Sequence, residues 1–269
     1  FAAAHLADKR SVSFIDLDPQ HNLTQYFLAP SERHRIRDRN HTIYGILNPR
    51  GESSVARDDI GAIAAPLNRA RHGARGPNFE LISGDERLFE FTLDTRPEHE
   101  KGEAFTRFRA LITALRARSD AVVIDSNPCA TFLTRLAITT ADHIVAPVRP
   151  EKYSLSGLNM LEQVVREVRG RSLHAGEFSV LLNGVNDRTK SEDTANADAL
   201  TRREIKDAPF FGSALIEHEV PYSALLKAAP VERFAANPIN VTAMMRVGGR
   251  NAKEALTRAA AAILKRAAS

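Results

Sequence analysis

Two carboxylates close an apolar run near the start of the chain. Val12-Ser-Phe-Ile-Asp16-Leu-Asp18 is β-branched and aromatic, and Pro19 and Gln20 follow at once, so a buried strand is expected to deliver acids to a sharp exit turn. A second apolar run, Ala121 to Ile124, ends on Asp125. Two parallel strands presenting acids at their carboxyl ends would place them where an α/β protein keeps its chemistry. The same residues also suit plain turn caps, because aspartate side chains bond the backbone two residues on.

Other chemistries find less material. The single cysteine, Cys129, cannot form an internal disulfide, and the nine histidines lack H-x-x-x-H or similar spacing, so metal ligation by cysteine and histidine is not expected. The 269 residues are 43% hydrophobic and 26% charged, which is ordinary globular composition and points to one α/β domain. No run of 18 apolar residues occurs, and residues 1–10 carry no basic leader or cleavage site. A cytosolic protein with no membrane partner is expected. The formal charge is +4, and 29 of the 37 basic residues are arginine; arginine's planar fork suits phosphate, although coding bias produces the same excess.

The elements that must position these acids read as alternating strands and helices. Phe1 to Arg10 has the pattern of a helix ending, Val12 to Leu17 of a strand, and Asn78 to Ser83 of another. Ser31 to Asn40, with Arg33, Arg35, Arg37 and Arg39, reads as a solvated loop or helix face, and Arg69 to Gly76 as a basic loop. Thr42 to Leu47 reads as a helix start. Phe105, Phe108, Leu111, Ile112 and Leu115 recur at helical spacing within Glu103 to Arg118, which predicts an amphipathic helix leading into the Asp125 strand. Further strands are expected at Ala141 to Val148, Phe178 to Leu182 and Phe210 to Leu215, and helices at Leu155 to Val168, Ala199 to Lys206 and Ala252 to Ala267, with a helical turn at Ser223 to Lys227. Arg188 to Asp198 is polar throughout and reads as a mobile loop. The alternation predicts an α/β fold: a mostly parallel twisted sheet with helices on both faces, in three α/β/α layers.

Three segments carry a resemblance. DLDPQHNLT from Asp16, VVIDSNPCATFLTRLAITTADHIVAPVRPEKYSLSGLNML from Val122, and LLNGVNDRT from Leu181 resemble, in order and spacing, the ParA/Soj branch of the deviant Walker-motif P-loop ATPases. NFELISGDERL from Asn78 is similar to the family's segment before the Walker B helix, and the likeness runs from Val12 to about Val231. The resemblance implies ATP and ADP as ligands, Mg²⁺ as cofactor and ATP hydrolysis as reaction. Asp18 matches the water-positioning carboxylate and Asp16 its partner near the Mg²⁺ shell, while Pro19 and Gln20 shape the switch that senses the γ-phosphate. Asp125 matches the Walker B acid, which holds Mg²⁺ through ordered water. Ser126, Asn127 and Pro128 fall in the second switch, where the family often has Thr-x-Pro. Asn183 falls at the family's base-contacting position, equally a turn residue after a strand. Ile216, Glu217 and Glu219 fall on its Ile-Pro-Arg-Asn loop, with glutamates in place of Pro and Asn.

One departure concerns the phosphate-binding loop. No G-x-x-x-x-G-K-[ST] occurs, and Val247-Gly-Gly-Arg250 is the nearest glycine pair. Without that loop's backbone N–H cradle a chain binds ATP poorly. The expectation is a single ATPase domain over residues 1–269, incomplete at its start, whose P-loop strand precedes Phe1, with residues 251–269 as a helix packed on or beside it.

The family implies an ATP-bound homodimer on non-specific DNA, nucleoid-associated in the cytoplasm, with a centromere-binding ParB-type or cargo-adaptor protein as partner. Arg202, Arg203, Lys206, Arg246 and Arg250 are the candidate phosphate contacts, by clustering and by the family's use of its C-terminal half. The terminal helix has an apolar face made mainly of alanine, too small for a MinD-like membrane anchor. A ParA-like ATPase that places a protein cargo or a secretion or conjugation assembly, and a non-catalytic DNA-binding or dimerisation module without a P-loop, are the alternatives. The related nitrogenase iron protein is disfavoured, because it needs two cysteines per subunit.

Overall fold

The computed structural model describes residues 10–49, 54–67, 78–93, 95–127, 129–185, 192–222 and 249–267. The expectations for residues 1–9, Arg69 to Gly76, Pro128, residues 188–191, Ser223 to Lys227 and Arg246 lie outside them. Two compact units are formed, one within residues 10–140 and one within residues 141–222 and 249–267. Each contains its own sheet.

In the first unit, β1 (Val12–Asp16) is flanked by β3 (Phe79–Ile82) and β4 (Ala121–Asp125), both parallel to it. A two-residue strand, β2 (Ala65–Pro66), adds antiparallel to β3, giving the order β2-β3-β1-β4. All five residues of β1 are buried, as a central parallel strand covered on both faces requires. Ile15 joins Leu17 and Ile82 in a cluster with α3 (Ile43–Leu47), α4 (Glu98–Arg116) and α5 (Phe132–Thr140). Phe14 meets Phe79 and the Phe27 ring of α1 (Asn22–Phe27), with centroids 5.5 and 5.8 Å away.

Helical spacing explains α4. Ala104, Phe108, Leu111, Ile112 and Leu115 recur at i, i+4, i+7, i+8 and i+11 and are all buried, so one stripe covers the sheet. Fully burying such side chains stabilises by about 1.5–3 kcal/mol each. The arginine-rich segment is a helix, α2 (Pro30–Asp38), opened by Pro30, with only Ile36 buried. Proline's fixed φ and missing N–H suit that first position.

In the second unit, β5 (Ile144–Val148), β6 (Phe178–Val185) and β7 (Val220–Pro221) are parallel and adjacent in that order. α6 (Ser154–Arg169) ends at Gly170 in the left-handed region. α7 (Glu192–Asp207) begins inside the polar stretch expected to be a mobile loop, and Asp198 and Thr201 are buried on it.

Phe210 to Leu215 is not the expected strand. Pro209–Ala214 forms α8, with proline in its first turn and Phe210 and Phe211 packed on Phe178. A Cβ on Gly212 would lie 2.1 Å from the Lys206 carbonyl oxygen, so the bare glycine admits the close approach of α7 and α8. Only Leu215 keeps strand character, bridging to Val180. The terminal helix α9 (Gly249–Ala267) buries Ala259, Ala260 and Ile263 and packs against β7 and the turn at Ala175–Glu177.

Candidate nucleotide and metal site

The carboxyl ends of β3, β1 and β4 bring Gly84, Asp16 and Asp125 together. Asp16 and Asp125 are Cα partners across the parallel ladder, and the Leu17 N–H donates to the Asp125 carbonyl at 2.8 Å. The Asp16 side chain is fully buried. Its Oδ2 accepts from both the backbone N–H and the hydroxyl of Thr24, each at 2.7 Å. Its Oδ1 is buried and has no hydrogen-bond partner among the described residues.

Burial pushes the Asp16 carboxyl up, and the Thr24 bonds work against that rise. Asp125 is pushed up to about 6, first by desolvation and then by the negative charges of Asp16 and Asp18. Its carboxylate takes no hydrogen bond from the described residues. A raised carboxylate beside another acid that has an unsatisfied buried oxygen is the signature of a group that wants a positive counter-charge.

Asp18 lies two residues beyond β1. Its Oδ1 accepts from the Gln20 N–H at 2.9 Å, and its carbonyl accepts from the His21 N–H at 2.8 Å. The turn-cap reading of Asp18 therefore holds for one oxygen, leaving the other for chemistry. Pro19 and Gln20 form the turn itself, and His21 caps α1 with φ 44°. Ser126 and Asn127 follow Asp125, and Asn127 Oδ1 accepts from the Cys129 N–H at 2.9 Å.

These residues fit a divalent cation. Among the described residues no group of three or more His, Cys, Asp or Glu side chains stands close enough to hold a metal ion. A hydrated Mg²⁺, which keeps several waters and binds through one or two carboxylates plus phosphate, asks for no such cage. Asp16 and Asp125 are the side chains that would hold it.

The second unit carries the other candidates. Asn183 is exposed on β6 beside Val220, where the ladder is irregular and Gly184 takes φ +71°. The Arg149 side chain runs past Gly184, its Nε 3.4 Å from where a Cβ would sit. Ile216 is buried and its N–H donates to Val180, so its part is to anchor the loop. Glu217 and Glu219 line a surface depression of about 250 Å³ with His218, Glu254, Ala255 and Arg258. Glu219 pairs with Arg202 at 3.5 Å, and Arg203 with Asp207 at 3.6 Å. Lys206 is exposed in the last turn of α7. Arg250 lies on α9.

Thr24 and Gly84 are parts of the site that sequence reading passed over. Thr24 stands three residues into a helix whose sequence, NLTQYF, announces no role. Gly84 follows directly on the NFELIS strand, and that placement after an apolar run was the available signal.

A protein-family model described as AAA domain matches residues 2–175. The chain belongs to this family. Within it, the chain is a member of the ParA/MinD group of P-loop ATPases. It is 25% identical over 222 residues to the chromosome partitioning protein ParA of Caulobacter vibrioides, covering 81% of this chain and 72% of that one. A plasmid partition protein of Borrelia burgdorferi bound to AMPPNP superposes with TM-score 0.66 at 18% identity, over 98% of this chain and 92% of its own. The pNOB8 ParA bound to non-specific DNA gives TM-score 0.58 at 15% identity, over 98% and 90%. These two likenesses show that this ParA/MinD-family chain has the P-loop ATPase fold, with helices on both faces of parallel strands.

Proposed function

We propose that this protein, provided its intact chain carries a P-loop, is a partition ATPase that hydrolyses ATP with Mg²⁺ and alternates between an ATP-bound, DNA-binding homodimer and an ADP-bound or nucleotide-free form. The observation that carries the reading is the pairing of Asp16 and Asp125 at the ends of β1 and β4, with the Asp16 Oδ1 buried and unpartnered among the described residues and Asp18 in the turn that follows. Family membership supplies the reaction class, and the nucleotide and the non-specific DNA held by the two solved relatives support the ligands.

Hydrolysis moves the γ-phosphoryl group to water: a water oxygen bonds phosphorus as the bridging β,γ-oxygen leaves with the bond's electrons. Catalysis of such a loose transition state is mostly positioning and charge neutralisation. Asp18 orients the water with the oxygen its turn leaves open, and Pro19 and Gln20 respond to the γ-phosphate. Asp16 and Asp125 would hold the cation, which when bound would neutralise charge on the phosphates. Asn183 and the loop of Ile216, Glu217 and Glu219 contact the base. Arg203, Lys206, Arg202, Arg246 and Arg250 face the DNA backbone, and a ParB-type or cargo-adaptor protein stimulates turnover. The setting is the cytoplasm, on the nucleoid. No helix among the described residues is long and apolar enough to cross a membrane.

Steady-state ATPase assays on the full-length protein and on its Asp18→Ala variant test the reading. Turnover by the parent protein, lost in the variant while labelled ATP still binds, is the expected pattern. No hydrolysis by the parent, or equal rates for both, overturns it.

A further inference from the structure

Asp16 and Thr24 lie eight residues apart and clasp the two ends of the turn that carries Asp18. The clasp is a bidentate grip on one oxygen: the Thr24 N–H and hydroxyl both donate to Asp16 Oδ2 at 2.7 Å. A hydroxyl has one hydrogen to give, and Thr24 spends it on Asp16. The same Oγ1 then accepts the Gly84 N–H, also at 2.7 Å, so its orientation is fixed from both sides. Thr24 is 1% exposed, which shields these charge-assisted bonds from competition by water.

Gly84 completes the arrangement by having no side chain. A Cβ there would stand 2.6 Å from the His21 Cβ, 2.8 Å from the Asp16 Cγ and 2.9 Å from its Oδ2. The exit of β3 can therefore press against both the carboxylate and the turn. A chain of bonds runs from the β3 backbone through the Thr24 hydroxyl to the acid of β1, across 60 positions of sequence.

We infer that Thr24 and Gly84 are a positioning pair. They hold the Asp16 carboxylate with Oδ2 taken by two donors and the buried Oδ1 left for the cation, and they fix the span within which the Asp18 turn can move. Neither touches nucleotide or metal, and both act through Asp16. The inference rests on the ATPase reading for its activity readout, and on the carboxylate geometry alone for its metal readout.

The test compares Thr24→Val, Thr24→Ser and Gly84→Ala with the parent protein, each checked for an unchanged melting temperature. Loss of a group that orients a metal ligand costs roughly 10–100-fold in affinity or activity. Thr24→Val keeps the shape and the backbone bond and loses the hydroxyl, so kcat should fall about tenfold or more while KM for ATP moves less than about threefold. Binding of Mn²⁺ with ADP present, read by electron paramagnetic resonance, should weaken by a similar factor of about ten. Thr24→Ser should restore both, and Gly84→Ala should reproduce the valine defect. Equal impairment by serine and valine overturns the inference, as does a valine variant with the parent's Mn²⁺ affinity. Should the parent bind Mn²⁺ without hydrolysing ATP, the ATPase reading fails and the Mn²⁺ comparison still decides the roles of Thr24 and Gly84. A parent protein that binds no Mn²⁺ overturns them.

Discussion

Asp16 and Asp125 face each other across one rung of a parallel ladder, at the last residue of each strand. In-register neighbours on parallel strands bring their backbones within about 5 Å, so the two carboxylates cannot both ionise without mutual cost. Asp18 adds a third charge from the following turn, and both charges add to desolvation in pushing Asp125 up to about 6.

That shift gives Asp125→Asn a signature in stability. Between the ordinary value of 3.8 and about 6, the native state holds a proton that the unfolded chain has released. Stability therefore falls as pH rises through that window, and the penalty is fully present above it. Thermal unfolding should show Asp125→Asn melting above the parent at pH 7.5, with the gap closing at pH 4.5. A gap that widens on acidification would contradict the assignment.

Asp85 behaves in the opposite sense. Its buried carboxylate accepts from the Thr42 hydroxyl at 2.8 Å and from the Arg87 backbone and guanidinium. Those bonds and that charge outweigh burial and hold it below the usual range. The contribution is present above the unfolded value of 3.8 and is lost as pH falls through the lower, folded one. Asp85→Asn should lose about 1–3 kcal/mol in urea unfolding at pH 7, because it weakens the bonds that the buried carboxylate takes from the Thr42 hydroxyl and the Arg87 guanidinium. The loss should shrink in strong acid.

Arg107 is a buried cation with a structural task. It is 4% exposed and donates to the backbone carbonyls of Ile46 and Val55, tying α4 to the end of α3 and the loop beyond. Truncation to alanine leaves two carbonyls unpaired at about 1–3 kcal/mol each, with a cavity besides. We expect a drop in unfolding free energy of about 4 kcal/mol, and lysine, which lacks the planar fork, should recover less than half.

The proposed DNA contacts make a prediction in salt rather than in stability. Arg203 and Asp207 are 80% and 68% exposed, and an ion pair so open to water contributes little and yields readily to phosphate. Arg203→Ala and Lys206→Ala should each weaken binding to duplexes of any sequence and reduce the slope of log K against log salt by about 1. Fluorescence anisotropy over a salt series measures that slope. Arg202, held by Glu219, should change it less.

How far these features were legible depends on how local their cause is. β1 and α4 were readable because burial on both faces, or on one stripe, writes itself into consecutive residues, and β4 because its run AVVI is apolar and mostly β-branched. Phe210 to Leu215 misled because a six-residue apolar run has no period of its own, and Pro209 decides its helical start. The beginning of α7 looked like a loop because its sequence, EDTANAD, is polar, yet Asp198 is drawn inside. The bond between Thr24 and Gly84 was invisible for a different reason: it joins residues 60 apart, and no pattern within a window reports it.

Thr24's grip also bears on which ion the site prefers. With Oδ2 committed to two donors, Asp16 has a single oxygen to offer and cannot chelate in bidentate fashion. Calcium, which gathers six to eight oxygens and favours two-pronged carboxylates, gains little from such a ligand, whereas the smaller magnesium ion needs only one. A threonine that never meets the ion would thereby favour the ion that needs the smaller cage of oxygens.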